Sequence, residues 1–135
     1  MKTLKLTAEV DRIDDVLAFI NAELENHDVP IKTIMQIDIA VEELFVNIAH
    51  YAYNPEIGEA TVTVDVEEAP PCAVIRFIDS GKPYDPLSRE DPDVTLGVEE
   101  RQVGGLGIYM VKKSMDEVAY AREDGQNILT IRKML

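Results

Sequence analysis

Three short stretches of this sequence carry residues whose types and spacing could do chemistry. In the first, VEELFVNIAH, Glu43 and Asn47 stand four positions apart, so both side chains would share one face of a helix. An amide oxygen can ligate Mg²⁺ without adding charge, and a carboxylate one turn away could deprotonate a water or hydroxyl. The same spacing is common on solvated helix faces, so this stretch alone leaves both interpretations open.

The second stretch, RFIDSGKPYDP, ends an apolar run with Asp79 and Gly81. An aspartate at this point can accept a hydrogen bond from the exocyclic amine of adenine, and glycine lets the backbone pass close to a flat ring. Asp-Ser-Gly is also ordinary turn chemistry. Taken alone, the stretch is compatible with either a turn or an adenine contact.

The third stretch, GGLGIYMVKK, places glycines at the start of an amphipathic pattern. Free backbone amides at a helix start attract anions, because the aligned peptide dipoles favour negative charge there. The stretch therefore indicates a phosphate-binding turn. The alternative is a hinge or tight turn that leads into the helix and binds no ligand. The candidate anion-binding residues are Gly104, Gly105, Leu106 and Gly107.

Helical periodicity surrounds the first of these stretches. Apolar residues recur at helical spacing from Val10 to Leu24, and a second helix is expected from about Ile31 to Tyr53, with Pro30 suited to its first turn. The glycine stretch opens a third helix, which continues to about Met115. The first and third stretches should therefore be held on helices.

Alternating or apolar runs predict five strands. They are KTLKLT, the hairpin pair ATVTVDVEE and AVIRFID, and the final pair EVAYARE and NILTIRKM. Between the third strand and the third helix, residues 83–103 are polar, contain Pro86 and Pro92, and show no clear period. We expect a segment from about Asp85 to Val103 to be either a functional lid or poorly ordered.

The order strand, helix, helix, strand, strand, helix, strand, strand predicts an α+β fold. We expect a two-layer sandwich with three helices on one face of a mainly antiparallel, mixed sheet, in a single domain spanning residues 1–135. The order is not a regular βαβ alternation, and the sequence contains no G-x-x-x-x-G-K-[ST] motif. The glycines therefore do not indicate a Rossmann or P-loop fold.

Composition narrows the class of partner. A formal net charge of -13 argues against direct contact with nucleic acid, since that affinity depends on Lys and Arg neutralising phosphates. The sequence has no apolar run of membrane-spanning or signal-peptide length, so we expect a cytoplasmic protein with no membrane contact. The one cysteine, Cys72, stands in an apolar run and is expected in the core.

Taken in order, the three stretches resemble the pattern of the GHKL ATPases, which include gyrase, histidine kinases and MutL. In that pattern a helix with Glu43 and Asn47 precedes Asp79-x-Gly81 at a strand end, and a lid and a glycine-led helix follow. VEELFVNIAHYAY, DSGKPYDP and GGLGIYMVKKSMDEVAY are similar to the anti-sigma factor serine/threonine kinases of bacterial partner-switching systems, the RsbW-like branch. The resemblance covers nearly the whole chain, and its motifs are specific jointly and weak singly.

This resemblance implies a GHKL ATPase fold and a protein serine/threonine kinase. Members of the branch are stand-alone domains that use ATP and Mg²⁺ to phosphorylate a serine on an anti-sigma antagonist of the STAS fold. Many members also sequester a sigma factor, and relatives often form homodimers. The implied partners are therefore a STAS-domain antagonist and a second copy of this chain, and the resemblance does not decide whether a sigma factor is bound.

Carried to matching positions, the resemblance implies a role for each candidate residue. Glu43 would be the general base, Asn47 the Mg²⁺ ligand, and Asp79 with Gly81 the adenine contact. The glycine stretch through Gly107 would support the lid and the phosphate turn.

One position departs from the pattern of some relatives, which have an arginine immediately before the glycine run. That arginine is the candidate for a contact with the γ-phosphate. Val103 holds its place here and Arg101 lies two residues earlier, so Arg101 is considered for the contact but the pattern leaves its role open. No phosphoacceptor motif accompanies His27 or His50, and a self-sufficient histidine kinase is not expected.

Two alternatives from other classes remain open. A non-catalytic ATP-binding regulatory interaction module would bind ATP but label no product. A purely structural interaction domain would bind no adenine nucleotide.

Overall fold

The computed structural model describes residues 1–88 and 106–135. Short 3₁₀ turns lie at Val10–Arg12 and Pro86–Ser88. The helices are α1 (Ile13–Asn26), α2 (Ile31–Tyr51) and α3 (Leu106–Ser114). The strands are β1 (Lys2–Thr7), β2 (Glu59–Glu68), β3 (Pro71–Asp79), β4 (Glu117–Glu123) and β5 (Gln126–Met134).

Within the described residues, the five strands form one sheet in the order β1-β2-β3-β5-β4. Every neighbouring pair is antiparallel, so the described sheet is antiparallel throughout rather than mixed. The register aligns Asp79 of β3 with Ala60 of β2 and with Asn127 of β5. The end of β3 thereby meets residues that are distant in sequence.

Alternation along β3 places one row of its side chains against the helices. Ala73, Ile75 and Phe77 are each 1% exposed and belong to the core cluster shared with α1 and α2. Asp79 is the next residue in this period-2 row, at the strand end. A buried carboxylate must be hydrogen-bonded, so Asp79 requires polar partners where the apolar core stops.

The two long helices bury one apolar stripe each. In α1 the buried residues are Val16, Ile20 and Leu24, and in α2 a longer row runs from Ile34 to Phe45. Pro30 precedes α2 with φ of -58°, which suits the start of a helix because proline fixes φ in that range. The burial of α2 leaves its other faces free to carry functional side chains.

The predicted two-layer α+β arrangement is confirmed, with the three described helices on one face of the sheet. Cys72 is buried, as expected. None of the described helices combines the length and apolar character that crossing a lipid bilayer requires.

Candidate functional site

A cleft opens where the end of β3 meets the C-terminal half of α2. The empty space inside it, part of which is open to solvent, is about 380 Å³. Polar groups from α2, β3, β4 and β5 converge on a mainly apolar lining, a combination typical of ligand pockets. The lining residues are Leu44, Asn47, Ile48, Ala52, Asp79, Tyr84, Pro86, Tyr120, Asn127 and Leu129.

Asp79 is the only carboxylate among those lining residues. The residue is 5% exposed, and its Oδ1 accepts hydrogen bonds from the Gly81 N–H at 2.9 Å and from Asn127 Nδ2 at 2.9 Å. Within residues 1–88 and 106–135, no group donates a hydrogen bond to Asp79 Oδ2. That second oxygen can therefore accept a hydrogen bond from a ligand N–H in the cleft.

Asn127 holds Asp79 in place, and our sequence analysis did not single it out. Its Nδ2 also donates to the Lys82 carbonyl at 2.7 Å. Its Oδ1 accepts from the Tyr120 hydroxyl at 2.5 Å and from the Tyr84 N–H at 3.4 Å. Because both donor and both acceptor positions of the amide are used, the orientation of Asn127 is defined by its surroundings.

The sequence carries one signal that could have identified Asn127. It shares an inward row of β5 with Leu129 and Ile131, and each of the three is at most 5% exposed. A polar residue in such a row indicates a buried hydrogen-bonding partner. The identity of that partner, however, depends on the pairing of β5 with β3, which joins residues 48 positions apart.

Gly81 lies where the chain leaves β3 and passes the end of α2. A Cβ at this position would overlap the backbone of Ala52, and Lys82 donates its N–H to the Ala52 carbonyl at 2.8 Å. The Tyr53 hydroxyl adds a second connection by accepting from the Ser80 N–H at 2.8 Å. Close packing against α2 therefore accounts for the glycine, and its expected contact with an adenine ring stays a prediction.

Glu43 and Asn47 contact each other on α2, as their spacing predicts. Asn47 Nδ2 donates to the Glu43 carbonyl at 2.9 Å and to Glu43 Oε1 at 3.2 Å. In the part of the chain that the structure describes, the Asn47 oxygen accepts no hydrogen bond. An oxygen ligand is thus available one helical turn from a carboxylate, on a residue that also lines the cleft.

Glu43 also packs against the first turn of α3. A Cβ on Gly107 would overlap the Glu43 carboxylate, so the glycine allows the carboxylate to approach the α3 backbone. The first N–H groups of a helix have no intrahelical acceptor, which makes this turn a polar neighbour for the carboxylate. Gly107, which we expected in the phosphate turn, is therefore also adjacent to the candidate base.

Several candidate residues lie beyond what the structure describes. Arg101, Gly104 and Gly105 fall outside residues 1–88 and 106–135, as does the expected lid after Ser88. For Leu106 the structure gives the helical backbone at the start of α3. The proposed contacts of these residues with phosphate stay predictions.

A metal ion at this site would need oxygen atoms from a bound substrate in addition to those of the protein. The described residues contain no group of three or more His, Cys, Asp or Glu side chains that could hold a metal. Mg²⁺ usually keeps several waters and is bound through one or two protein oxygens together with substrate phosphates. One available amide oxygen on Asn47, a residue that lines the cleft, fits that mode of binding.

This chain is similar to several known proteins. A sequence profile described as a histidine kinase-like ATPase domain matches residues 6–133. The chain is similar to the serine/threonine-protein kinase BtrW of Bordetella bronchiseptica, with 26% identity over 93 residues, covering 69% of this chain and 65% of the relative. It is also similar to a serine-protein kinase RsbW of Bacillus cereus, with 30% identity over 95 residues, covering 67% and 58%. The chain thus spans less than two thirds of the length of these relatives.

Two solved structures share the fold. The crystal structure of the RsbU and RsbW domains of Rv1364c from Mycobacterium tuberculosis aligns with a TM-score of 0.69 and 16% identity, covering 100% of this chain and 33% of that chain. The histidine kinase domain of a blue-light activated histidine kinase from Erythrobacter litoralis aligns with a TM-score of 0.56 and 17% identity, covering 91% and 61%. At these identities the likeness is one of fold.

Proposed function

Because the chain belongs to the family of histidine kinase-like ATPase domains, we propose that it binds ATP in the cleft and phosphorylates a serine of a partner protein. The observation that carries this proposal is the contact between Asn47, which lines the cleft, and Glu43, whose carboxylate lies just beyond it. A nucleotide site and a candidate base are thereby joined by a single turn of helix.

The adenine base is proposed to occupy the part of the cleft around Asp79. Leu44, Ile48 and Leu129 supply apolar contacts for the ring, and Asp79 Oδ2 accepts a hydrogen bond from the exocyclic amine. Guanine carries a carbonyl at the corresponding position, and two acceptors facing each other are unfavourable. This arrangement favours ATP over GTP.

The phosphates are proposed to extend from the cleft toward Asn47 and the start of α3. Asn47 would supply one oxygen ligand to Mg²⁺, which when bound neutralises charge on the β- and γ-phosphates. The backbone amides of the glycine stretch 104–107 and the side chain of Arg101 are the further proposed phosphate contacts. The glycine-rich sequence pattern supports these proposed contacts, because anions bind readily at helix starts.

Glu43 is proposed to act as the general base. Its carboxylate accepts the proton of the serine hydroxyl while the serine oxygen bonds to the γ-phosphorus and the bond from that phosphorus to the leaving ADP oxygen breaks. The hydrogen bond from Asn47 Nδ2 to Glu43 Oε1 orients the carboxylate. Among the described residues, Oε2 has no donor and remains for the hydroxyl.

The proposed partner is an anti-sigma antagonist of the STAS fold, with a sigma factor as a second proposed partner. Support comes from the RsbW-like sequence pattern and from the kinase names of the relatives. A phosphoserine carries about two negative charges at neutral pH, so the net charge of -13 would favour release of the phosphorylated antagonist. We further propose a single ATPase domain over residues 1–135, a homodimer and a cytoplasmic location.

Replacing Glu43 by glutamine tests this function directly. We expect little change in ATP affinity, because the cleft and Asn47 are untouched, and a loss of transfer to the partner serine of about 10²- to 10⁴-fold, the usual contribution of a general base. Asn47→Ala should weaken Mg-ATP binding as well as transfer, because it removes a metal ligand. Calorimetry measures the affinities, and γ-labelled ATP with the purified partner measures the transfer.

The outcomes separate the proposed kinase from its alternatives. Wild-type transfer by the Glu43→Gln protein would contradict the base assignment. ATP binding without any labelled product would indicate a non-catalytic regulatory module, and no binding of adenine nucleotides would indicate a structural interaction domain.

A further inference from the structure

A groove beside Glu43 opens separately from the nucleotide cleft. Its lining residues are Ile39, Glu42, Glu43, Val46, Gly107 and Met110. None of these lines the cleft. On α2 the groove follows one face, from Ile39 to Val46, and the cleft follows the adjacent face, with Asn47 one turn after Glu43. The candidate base therefore stands between two openings.

Large apolar side chains continue from this groove along the surface. Ile31, Met35 and Ile39 repeat every four residues on α2 and are 72%, 58% and 64% exposed, and Met110 of α3 is 52% exposed. We call these four residues the α2 ridge. Scattered exposed apolar residues are ordinary, but an aligned row beside a groove is typical of an interaction site.

The geometry of phosphoryl transfer indicates which molecule this surface binds. The attacking and leaving oxygens lie roughly in line on opposite sides of the transferred phosphorus. In the proposed function ADP, the leaving group, stays in the cleft that Asn47 lines. An acceptor hydroxyl that gives its proton to Glu43 would therefore approach from the groove, which Glu43 also lines.

We propose that the α2 ridge and its groove dock the serine-bearing segment of the substrate protein, an inference that rests on the proposed kinase function. Apolar side chains next to the acceptor serine pack on Met35, Ile39 and Met110. The serine hydroxyl then reaches the Glu43 carboxylate in the groove.

Charge in the groove further defines the partner segment. Glu42 and Glu43 both line it, so a segment without acidic residues is favoured before transfer. After transfer, a phosphoserine adds about two negative charges beside these carboxylates. The same surface therefore binds the substrate and repels the product.

The experiment compares two isoleucines that are equally exposed in different places. Ile39 lies on the α2 ridge and Ile57 in the segment between α2 and β2, and both are 64% exposed. The probe is the purified protein that the wild-type chain labels on serine from γ-labelled ATP in host extract. Calorimetry then measures its affinity for the wild type, Ile39→Glu and Ile57→Glu, each loaded with a non-hydrolysable ATP analogue.

We expect Ile39→Glu to weaken substrate binding at least about tenfold, because it places a charge in an apolar contact. Ile57→Glu should change that affinity less than about twofold, as expected for a surface site away from the contact. Affinity for the ATP analogue should be the same in all three proteins, which shows that the cleft is intact. Glu42→Gln should reduce the preference for unphosphorylated over phosphorylated substrate, since it removes one repelling charge.

Three results would overturn the inference in distinguishable ways. Equal effects of Ile39→Glu and Ile57→Glu would show that the substrate docks elsewhere. Sedimentation showing a wild-type dimer that Ile39→Glu dissociates, with unchanged substrate affinity, would assign the ridge to a second copy of this chain. Absence of any serine-labelled protein would refute the proposed kinase function itself, before any docking variant is measured.

Discussion

Replacing Asn127 by leucine tests the proposal that the cleft recognises adenine through Asp79. The change removes the donor that lies 2.9 Å from Asp79 Oδ1, which leaves the Gly81 N–H as the one donor to that oxygen among the described residues. A hydrogen bond to a charged group contributes about 1.5–3 kcal/mol. If Asp79 loses its orientation with this bond, the Kd for ATP should rise about 10- to 100-fold, since each 1.4 kcal/mol is about tenfold.

The assay uses two nucleotides that differ in one group. Calorimetry with ATP and with purine riboside triphosphate, which lacks the 6-amino group, separates recognition of the amine from all other contacts. The Kd for purine riboside triphosphate should rise less than about threefold in Asn127→Leu, because this ligand makes no bond to Asp79. Tyr120→Phe is the control variant, since it removes the 2.5 Å bond to Asn127 Oδ1 and leaves the bond to Asp79 in place.

Two results would refute this reasoning. Equal weakening of both nucleotides would show that Asn127 shapes the cleft without contributing to amine recognition. An unchanged Kd for ATP in a folded Asn127→Leu protein would show that Asp79 does not depend on Asn127 for its orientation.

Two further predictions concern α2 and its neighbour α3. Burial raises the pKa of Asp38 and the charge of Glu42 adds to this, against the lowering effect of the bond from Asn21, so the folded state holds that proton more tightly than the unfolded state. The ionised carboxylate therefore destabilises the fold at neutral pH, and Asp38→Asn should raise the melting temperature at pH 7, with the difference from wild type vanishing as the pH falls through the carboxyl pKa. Gly107→Ala should leave the protein as stable or slightly more stable, since alanine favours helix by about 0.5–1 kcal/mol, yet slow phosphoryl transfer because its Cβ displaces the Glu43 carboxylate. Melting curves and transfer rates of the Gly107→Ala protein check this second prediction, and an unchanged transfer rate would contradict it.

Features that depend on local periodicity could be predicted from the sequence. The repeat of apolar residues predicted a helix from about Ile31 to Tyr53, and α2 spans Ile31–Tyr51. The contact between Glu43 and Asn47 follows from the helical repeat alone, which places residues four apart on one face. The order of elements was sufficient to predict the two-layer α+β fold, because each element must bury its apolar face against another.

Features that depend on pairing across the sheet could not be predicted in the same way. The bond between Asn127 and Asp79 requires the register of β5 on β3, and no local pattern fixes that register. We expected a mainly antiparallel sheet, and the described strands are antiparallel throughout, because strand direction is a property of the pairing. The adenine contact expected of Gly81 stays a prediction, and the close approach of Gly81 to Ala52 became visible only with α2 in place.

Ile39, Glu43 and Asn47 lie on three successive turns of α2. Their relative positions therefore depend on the number of residues between them as well as on the residue types. An α-helix turns about 100° and rises about 1.5 Å for each residue. One residue inserted between Glu43 and Asn47 would rotate the Asn47 side chain away from Glu43, even if every side-chain type were kept. The connection between β2 and β3 lies at the opposite end of β3 from Asp79, so its length can vary without disturbing the site. Homologous chains of different length should therefore carry their insertions and deletions in that hairpin and keep the residue count of α2.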